Sequence, residues 1–214
     1  MEDHAALGEA LLFAFSFESG IDVVGLAPTV STALEMVAAA KPDVVLMDVR
    51  LPDGNGIDAT SRVMEVHPGA AVVVLTAHAD PVFALRAADA GAAGFMPKDV
   101  RIAKVVDAVR RAMAGEATVE GSVLRSLLAR AAADGPAAGV ADGNGFPRLS
   151  PGEVSVLGFL AEGLGTAGIA DALGVGFDEA GASVARAVAD LGARSRLEAL
   201  VIAARHGLLS PPGS

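Results

Sequence analysis

The sequence predicts two units, a doubly wound α/β domain built on a parallel sheet and, after it, an all-α helical domain. Over residues 1–115, short β-branched runs alternate with Ala- and Leu-rich stretches, which is the pattern of a parallel sheet covered by helices. Beyond Gly115 the strand pattern stops and helical spacing continues. A chain of 214 residues, 52% of them hydrophobic, has the length and the core material for two small domains.

The elements of the first unit follow from apolar runs that Gly and Pro residues bound. Runs without alternation, such as Val72–Leu75, are typical of strands that helices cover on both faces. Four strands are predicted, at Ile21–Leu26, Asp43–Met47, Ala71–Leu75 and Gly94–Met96. Helices are predicted near His4–Phe15, Thr29–Ala40, Ile57–Val66, Pro81–Ala90 and Arg101–Ala114.

The second part of the chain is interrupted by a segment of turn-forming residues. Thr118–Ala133 has the spacing of one further helix, and residues 134–148 are rich in Gly, Ala and Pro, which is typical of a flexible linker. Ser150 predicts the next helix start, because Pro151 follows at the first helical position and Glu153 completes a capping box. The expected units are a first domain over 1–115, a helix and linker over 116–148, a helical domain over 149–208 and a tail over 209–214.

Charge and composition exclude several classes of protein. Asp and Glu number 26 against 16 Lys and Arg, so a formal net charge of −10 argues against general attraction to nucleic acid or anionic membranes. The lack of cysteine excludes disulfides, thiolate zinc sites and thiol nucleophiles. No apolar stretch approaches the ~20 residues of a membrane helix, and the first residues lack the basic flank of a signal peptide. We therefore expect a cytoplasmic protein.

Acidic, hydroxyl and basic side chains stand where the predicted strands end. Asp48 directly follows the second strand, Thr76 follows the third, and Lys98 closes the fourth, while Glu2 and Asp3 precede the first helix. Because ligands of open α/β sheets bind beyond the carboxyl ends of the strands, we expect these groups to meet at one edge. Carboxylate oxygens suit Mg²⁺, and a lysine offsets phosphoryl charge.

Simpler structural roles stay open for individual residues. An Asp after a buried strand can cap a loop, and Phe95 in the fourth strand can serve in packing alone. Asp53 is expected to be a turn residue, with Gly54 and Gly56 supplying positive φ angles. Histidines expected at a helix start or in surface loops are His4, His67 and His78.

The combination of motifs in residues 1–115 resembles the receiver domain of two-component response regulators, which has a flavodoxin-like fold. The matching segments are Glu2–Asp3 with His4, Asp48–Ile57, Thr76–His78 and Gly94–Asp99. The resemblance implies that Asp48 accepts a phosphoryl group from a partner histidine kinase. Mg²⁺ would be held by Glu2, Asp3, Asp48 and the backbone carbonyl of Arg50. Thr76 and Lys98 would bind the phosphoryl oxygens, and Phe95 would repack as the switch aromatic when the new charge draws Thr76 inward.

The start of the sequence departs from that family. The family carries an apolar central strand before the acidic pair, whereas here Met1 directly precedes Glu2. Loss of that strand would leave two neighbouring strands with unpaired edges. We therefore expect the true start several residues upstream, with Met1 inside the strand. The rival explanation is a real truncation, which would weaken Mg²⁺ binding by leaving the acidic pair on a frayed terminus.

The helical unit, Leu149–Leu208, resembles the four-helix helix-turn-helix output domain of LuxR/NarL-type regulators. The matching segments are Leu149–Glu153, Val156–Leu157, Leu160–Leu164, Ile169–Ala170, Leu173–Val175 and Leu191–Arg196. The resemblance implies a recognition helix from Asp178 to Leu191 that enters the major groove, and pairing of two copies through Arg196–His206. The DNA contacts it implies are Ser183, Arg186, Arg194 and Arg196.

The charge of this unit is unfavourable for DNA binding. Residues 149–214 contain four Arg against seven Asp or Glu, and Glu179, Gly181 and Ser183 replace the family's usual Thr, Lys and His. Since counterion release at phosphates supplies most non-specific affinity, we expect weak binding.

Two functional hypotheses follow from these features. The first is a phosphorylation-dependent response regulator that controls transcription as a DNA-binding homodimer. The alternative is a phospho-switched protein-interaction module whose degenerate helix-turn-helix domain no longer binds DNA. An enzyme is not expected, because the sequence shows no combination of nucleophile, base and oxyanion-binding groups outside the acidic pocket.

Overall fold

A computed structural model of the chain describes residues 1–2, 5–77, 80–135 and 149–209. The helices are α1 (Ala5–Phe15), α2 (Val30–Ala40), α3 (Gly56–Val66), α4 (Pro81–Asp89), α5 (Ile102–Met113), α6 (Gly121–Asp134), α7 (Pro151–Ala161), α8 (Thr166–Leu173), α9 (Phe177–Asp190) and α10 (Arg196–Arg205). The strands are β1 (Val44–Asp48), β2 (Arg50–Leu51), β3 (Gly54–Asn55), β4 (Ala71–Thr76), β5 (Gly94–Pro97) and β6 (Thr118–Val119). No helix among the described residues is both long and apolar enough to cross a membrane.

The first unit is a parallel sheet with helices around it, which confirms the predicted fold class. Four parallel strands lie in the order β1, β4, β5, β6. After β1, the strands β2 and β3, of two residues each, form a separate antiparallel hairpin. Val72, Val73 and Val74 of β4 are fully buried, as expected for a strand covered on both faces. The register pairs Asp48 with Leu75 and Thr76 with Pro97, so the carboxyl ends of the strands form one edge.

The strand predicted at Ile21–Leu26 is wrong, because this segment is irregular in the structure. Between it and β1 the backbone of Met1 takes a strand position: its amino group donates to Leu46 O at 2.7 Å, and its carbonyl accepts from Asp48 N at 3.0 Å. The rest of that space is a cavity of about 350 Å³ lined largely by apolar side chains. A β-branched segment forms a strand only where a neighbouring strand satisfies its backbone groups, and here the cavity separates the segment from β1.

The predicted helix Thr118–Ala133 begins later than expected. Thr118 and Val119 instead form β6, which pairs in parallel with Gly94 and Phe95 of β5, and the helix α6 starts at Gly121. Two β-branched or hydroxyl side chains beside an open sheet edge favour strand pairing over a first helical turn. Of the predicted linker, residues 136–148 lie outside the described residues, and the domain boundaries at 115 and 149 stay predictions.

The four helices α7 to α10 form the predicted all-α unit. The capping box is confirmed: Ser150 N donates to Glu153 Oε2 at 2.6 Å, and Glu153 N donates to Ser150 Oγ at 3.3 Å. The fully buried side chains Leu157, Ile169 and Leu197 belong to its core. Helix α10 also packs against α4 and α6, so the helical unit lies against the first one.

Candidate functional site

The carboxyl edge of the sheet holds two buried carboxylates and one lysine in direct contact. The Lys98 Nζ atom lies 2.6 Å from Asp48 Oδ2 and 2.8 Å from Glu2 Oε2. Asp48 and Glu2 are 3% and 4% exposed. The structure thus brings together three of the residues that the sequence assigned to one site, although they are as many as 96 positions apart.

Backbone hydrogen bonds position each of the three groups. Lys98 N donates to Thr76 O at 2.7 Å, which fixes the turn after β5 against the end of β4. Glu2 N donates to Ala27 O at 3.2 Å, and the Arg50 N–H donates to Asp48 Oδ1 at 3.1 Å. The predicted ligand Asp3 lies outside the described residues.

The charges in this pocket do not balance. Burial raises the pKa of Asp48, against the opposing effect of its hydrogen bonds to Lys98 and to the Arg50 N–H, and the charge of Glu2 raises it further. Burial alone would lower the pKa of Lys98, but its hydrogen bonds to Asp48 and Glu2 outweigh this and raise it. One lysine thus serves two carboxylates, and the described part of the pocket favours additional positive charge.

The residues present fit the magnesium ion that the receiver fold implies. Hard divalent cations take oxygen ligands, and Glu2 and Asp48 present buried carboxylates beside the Arg50 loop, whose carbonyl is the third implied ligand. Among the described residues no group of three or more His, Cys, Asp or Glu side chains is placed to hold a metal. Of the implied ligands, the described residues supply the carboxylates of Glu2 and Asp48 and the backbone carbonyl of Arg50.

The predicted phosphoryl-binding residue Thr76 lies at the carboxyl edge of the sheet, whereas the predicted switch residue Phe95 lies in the core. Thr76 ends β4 and is 5% exposed, one position beyond the register partner of Asp48. Phe95 in β5 is 1% exposed and belongs to the main hydrophobic core. The phosphoryl-binding role of Thr76 and the switch role of Phe95 stay predictions.

The candidate recognition helix is α9, and it begins at Phe177, one residue before the predicted start. Ala180, Val184 and Ala187 are its buried side, while Asp178, Glu179 and Arg186 are exposed. The two predicted DNA contacts on this helix lie together: the Ser183 hydroxyl accepts from Arg186 Nη2 at 2.9 Å and donates to Glu179 O at 3.0 Å.

The other two predicted DNA contacts are engaged inside the protein. Arg194 Nη2 donates to Glu198 Oε1 at 2.7 Å and to the backbone carbonyl of Asp89 at 2.6 Å. Arg196 is half-buried, its Nη1 donates to Thr166 Oγ1 at 3.1 Å, and burial lowers its pKa. In this conformation both guanidinium groups make intramolecular hydrogen bonds, and their DNA contacts stay a prediction.

The sequence reasoning missed a contact between the two units at the end of α4. Asp89 accepts from Arg205 through both carboxylate oxygens, at 2.6 and 2.8 Å, and its backbone carbonyl accepts from Arg194. Next to it the Ser195 hydroxyl donates to Ala92 O at 2.8 Å. We call these contacts of Asp89, Ala92, Arg194, Ser195 and Arg205 the interdomain clasp. The sequence around Asp89 does not predict the clasp, because the arginine partners are more than 100 positions away.

Comparisons with known proteins identify the class to which this fold and pocket belong. Residues 1–110 match the response regulator receiver domain family, and the chain belongs to the two-component response regulators of LuxR/NarL type. It is 33% identical over 217 residues to the DNA-binding transcriptional activator DevR/DosR of Mycobacterium tuberculosis, covering 100% of this chain and 96% of that protein.

A second relative and a solved structure agree with that assignment. The chain is 32% identical to the probable transcriptional regulatory protein NarL of Mycobacterium tuberculosis, over 97% of this chain and 93% of that one. A crystal structure of a LuxR-family two-component response regulator from Aurantimonas is similar at a TM-score of 0.56 and 28% identity, covering 60% of this chain and 92% of that one.

Proposed function

We propose that this chain is a phosphorylation-dependent response regulator of a two-component system that controls transcription by binding DNA. The observation that carries the proposal is the cluster of Asp48, Glu2 and Lys98 at the carboxyl edge of the sheet, in the same chain as a four-helix helix-turn-helix unit. A histidine kinase is the phosphoryl donor. The family is one of transcription regulators, and we assign the chain no enzymatic role.

Phosphoryl transfer forms a bond between a carboxylate oxygen of Asp48 and phosphorus, while the bond from phosphorus to the donor imidazole nitrogen breaks. The Arg50 N–H on Oδ1 holds the carboxylate in place. Lys98, now 2.6 Å from Oδ2, moves with the charge to a phosphoryl oxygen, and the Thr76 hydroxyl donates to another. Mg²⁺ held by Glu2, Asp3, Asp48 and the Arg50 carbonyl would supply the remaining positive charge.

The experiment that tests the pocket is labelling with acetyl phosphate in the presence of Mg²⁺. The Asp48→Asn variant is expected to lose labelling, because its amide cannot act as the nucleophile. Asp58→Asn is a matched control, since Asp58 is an exposed acid of the same domain paired only on the surface with Arg86. Labelling that persists at another residue of Asp48→Asn would contradict the assignment.

The structure suggests how the phosphorylated pocket reaches the output domain. Helix α10 packs on α4, α6, α7 and α9. Six of its apolar residues are buried there, and so is Glu198. The clasp fastens this helix to the end of α4, directly before β5 and Phe95. Repacking of Phe95 therefore acts on the segment that Arg194, Ser195 and Arg205 hold.

The two functional surfaces of the helical unit differ in access. The first turn of α9 is exposed, at Phe177, Asp178 and Glu179, whereas α10, the helix through which copies are expected to pair, is covered. Phosphorylation therefore acts by freeing Arg196–His206 for homodimer formation. Pairing doubles the DNA contacts of a unit whose own charge disfavours DNA.

The DNA-binding part is tested by fluorescence anisotropy on a generic duplex across a salt series, with phosphorylated and unphosphorylated protein. Affinity is expected to fall as salt rises, and the Arg186→Ala variant is expected to bind more weakly with a slope smaller by about 0.9, the loss of one phosphate contact. Arg62→Ala, a substitution on α3, is the matched control. Lack of binding by both forms at low salt would favour the protein-interaction alternative.

A further inference from the structure

The hairpin that follows the phosphorylation site is tied to that site at its base. Gly56 N donates to Val49 O at 2.8 Å, and the Arg50 N–H donates to Asp48 Oδ1 at 3.1 Å. An added Cβ at Gly56 would lie 1.8 Å from Asp48 O, so the backbone passes in direct contact with the phosphoacceptor residue. The orientation of Arg50 relative to Asp48 therefore depends on how this hairpin is held.

The tip of the same hairpin is held by a second helix. The Asp53 carboxylate accepts from Val30 N at 2.7 Å, and from Ser31 N and the Ser31 hydroxyl at 3.0 Å each. The first N–H groups of a helix lack intrahelical partners, and the positive end of the helix dipole favours an anion there. The hydrogen bond from Val30, then that from Ser31, lowers the pKa of Asp53, so the carboxylate is ionised at neutral pH.

Helix α2 has a cap of its own besides Asp53. Thr29 already caps the helix, because its side chain accepts from Thr32 N. Asp53 is exposed, and its carboxylate accepts from Val30 and Ser31 of α2, 23 and 22 positions away along the chain. The contact therefore joins two elements, the hairpin tip and α2, as well as satisfying two N–H groups of the first turn of α2.

We propose that Asp53 is a positioning residue for phosphoryl transfer: by fastening the β2–β3 hairpin to the first turn of α2, it keeps the Arg50 N–H on the Asp48 carboxylate and the Arg50 carbonyl beside the pocket. The functional consequence rests on the proposed phosphorylation of Asp48. The positioning itself is a property of the chain without any ligand. The sequence showed Asp53 only as a turn residue, because its partners come from a different part of the chain.

Hydrogen–deuterium exchange of the full chain without Mg²⁺ tests the positioning directly. In Asp53→Ala, exchange at Val49–Gly56 is expected to rise about fivefold, the size of a lost capping contact, while exchange in β4 stays unchanged. Ser31→Ala removes only the hydroxyl contact and is expected to give a smaller rise. Asp53→Asn, which keeps an acceptor oxygen, is expected to restore part of the protection. Asp58→Ala, which loses an exposed ion pair on α3, is the matched control.

Titration with Mg²⁺ by calorimetry then measures the consequence at the pocket. A loosened hairpin is expected to weaken Mg²⁺ binding by about fivefold in Asp53→Ala, with no change in Asp58→Ala. Unchanged exchange at Val49–Gly56 would overturn the proposal, and so would equal acceleration throughout the domain, which indicates general destabilisation. If the hairpin loosens but the wild-type chain neither binds Mg²⁺ nor is labelled at Asp48, the positioning stands and the proposed function fails.

Discussion

Two groups of charged side chains organise this protein, and they differ in burial and in balance. In the proposed phosphorylation pocket, Lys98 contacts Glu2 and Asp48, whose side chains are 3% and 5% exposed, so one lysine serves two enclosed acids. In the interdomain clasp, Asp89 is 41% exposed and its carboxylate faces Arg205, while its carbonyl faces Arg194. An enclosed site with excess negative charge responds strongly to added charge, whereas an exposed and paired contact separates at little cost.

This difference matches the two tasks of a switch. The pocket must convert a single phosphorylation into a large local change, and the low dielectric around buried charges makes such a change large. The clasp must hold α10 in one state and release it in the other, so a modest stabilisation is suitable. Three variants sharpen or break this comparison.

The largest effect is expected from Gly56→Ala, in the backbone that encloses the pocket. Its Cβ would lie 1.8 Å from Asp48 O and 2.8 Å from Asp48 C, so backbone must shift, at a cost of about 3 kcal/mol or more. We expect a lower melting temperature and loss of labelling by acetyl phosphate. Gly181→Ala is the control, since a Cβ there meets only Thr166 Cγ2 at 3.7 Å and is expected to stabilise α9 by about 1 kcal/mol. Equal changes in melting temperature for Gly56→Ala and Gly181→Ala would show that the backbone around the pocket is not packed more tightly than that of α9.

The pocket, the Ile21–Leu26 segment and the clasp also show which features of the structure can be predicted from the sequence. Asp48, Thr76 and Lys98 were predicted at one edge because each follows an apolar run, and parallel strands bring such positions together. The strand prediction at Ile21–Leu26 was wrong because strand formation also needs a neighbouring strand, and the residue types of a segment do not show whether one is present. Asp53 and Asp89 were given no functional role, because their partners are set by tertiary packing between elements distant in the chain.

The second effect concerns the excess of acids in the pocket. Lys98→Met keeps a similar volume but leaves two buried carboxylates without their cation, and we expect about 2 kcal/mol of destabilisation at pH 7. The pKa of Asp48 is already raised in the folded protein, so the stability that its protonation provides is present at low pH and lost as the pH rises through that value. Removal of Lys98 raises the pKa of Asp48 further.

Thermal denaturation between pH 8 and pH 5 measures this dependence. The gap in melting temperature between wild type and Lys98→Met is expected to be wide at high pH and to narrow as the pH falls, because the raised pKa of Asp48 lets it take up a proton. Lys104→Met, on α5, is the control for the loss of a lysine in the same domain. A gap that is independent of pH would mean that the cost comes from packing and not from unpaired acids.

The smallest effect on stability, with the clearest effect on assembly, is expected at the clasp. Asp89→Ala removes the bidentate partner of Arg205 but leaves the carbonyl that Arg194 contacts, so about 1 kcal/mol is lost from an exposed contact. A shift of that size moves the equilibrium between docked and released α10 about fivefold. The unphosphorylated variant is therefore expected to dimerise at a lower protein concentration than wild type, as measured by analytical ultracentrifugation. High salt should narrow the difference, because the clasp is exposed to screening.

Asp58→Ala, which breaks the exposed pair with Arg86 within one domain, should leave dimerisation unchanged. Unaltered dimerisation of Asp89→Ala would show that helix packing, and not the clasp, retains α10.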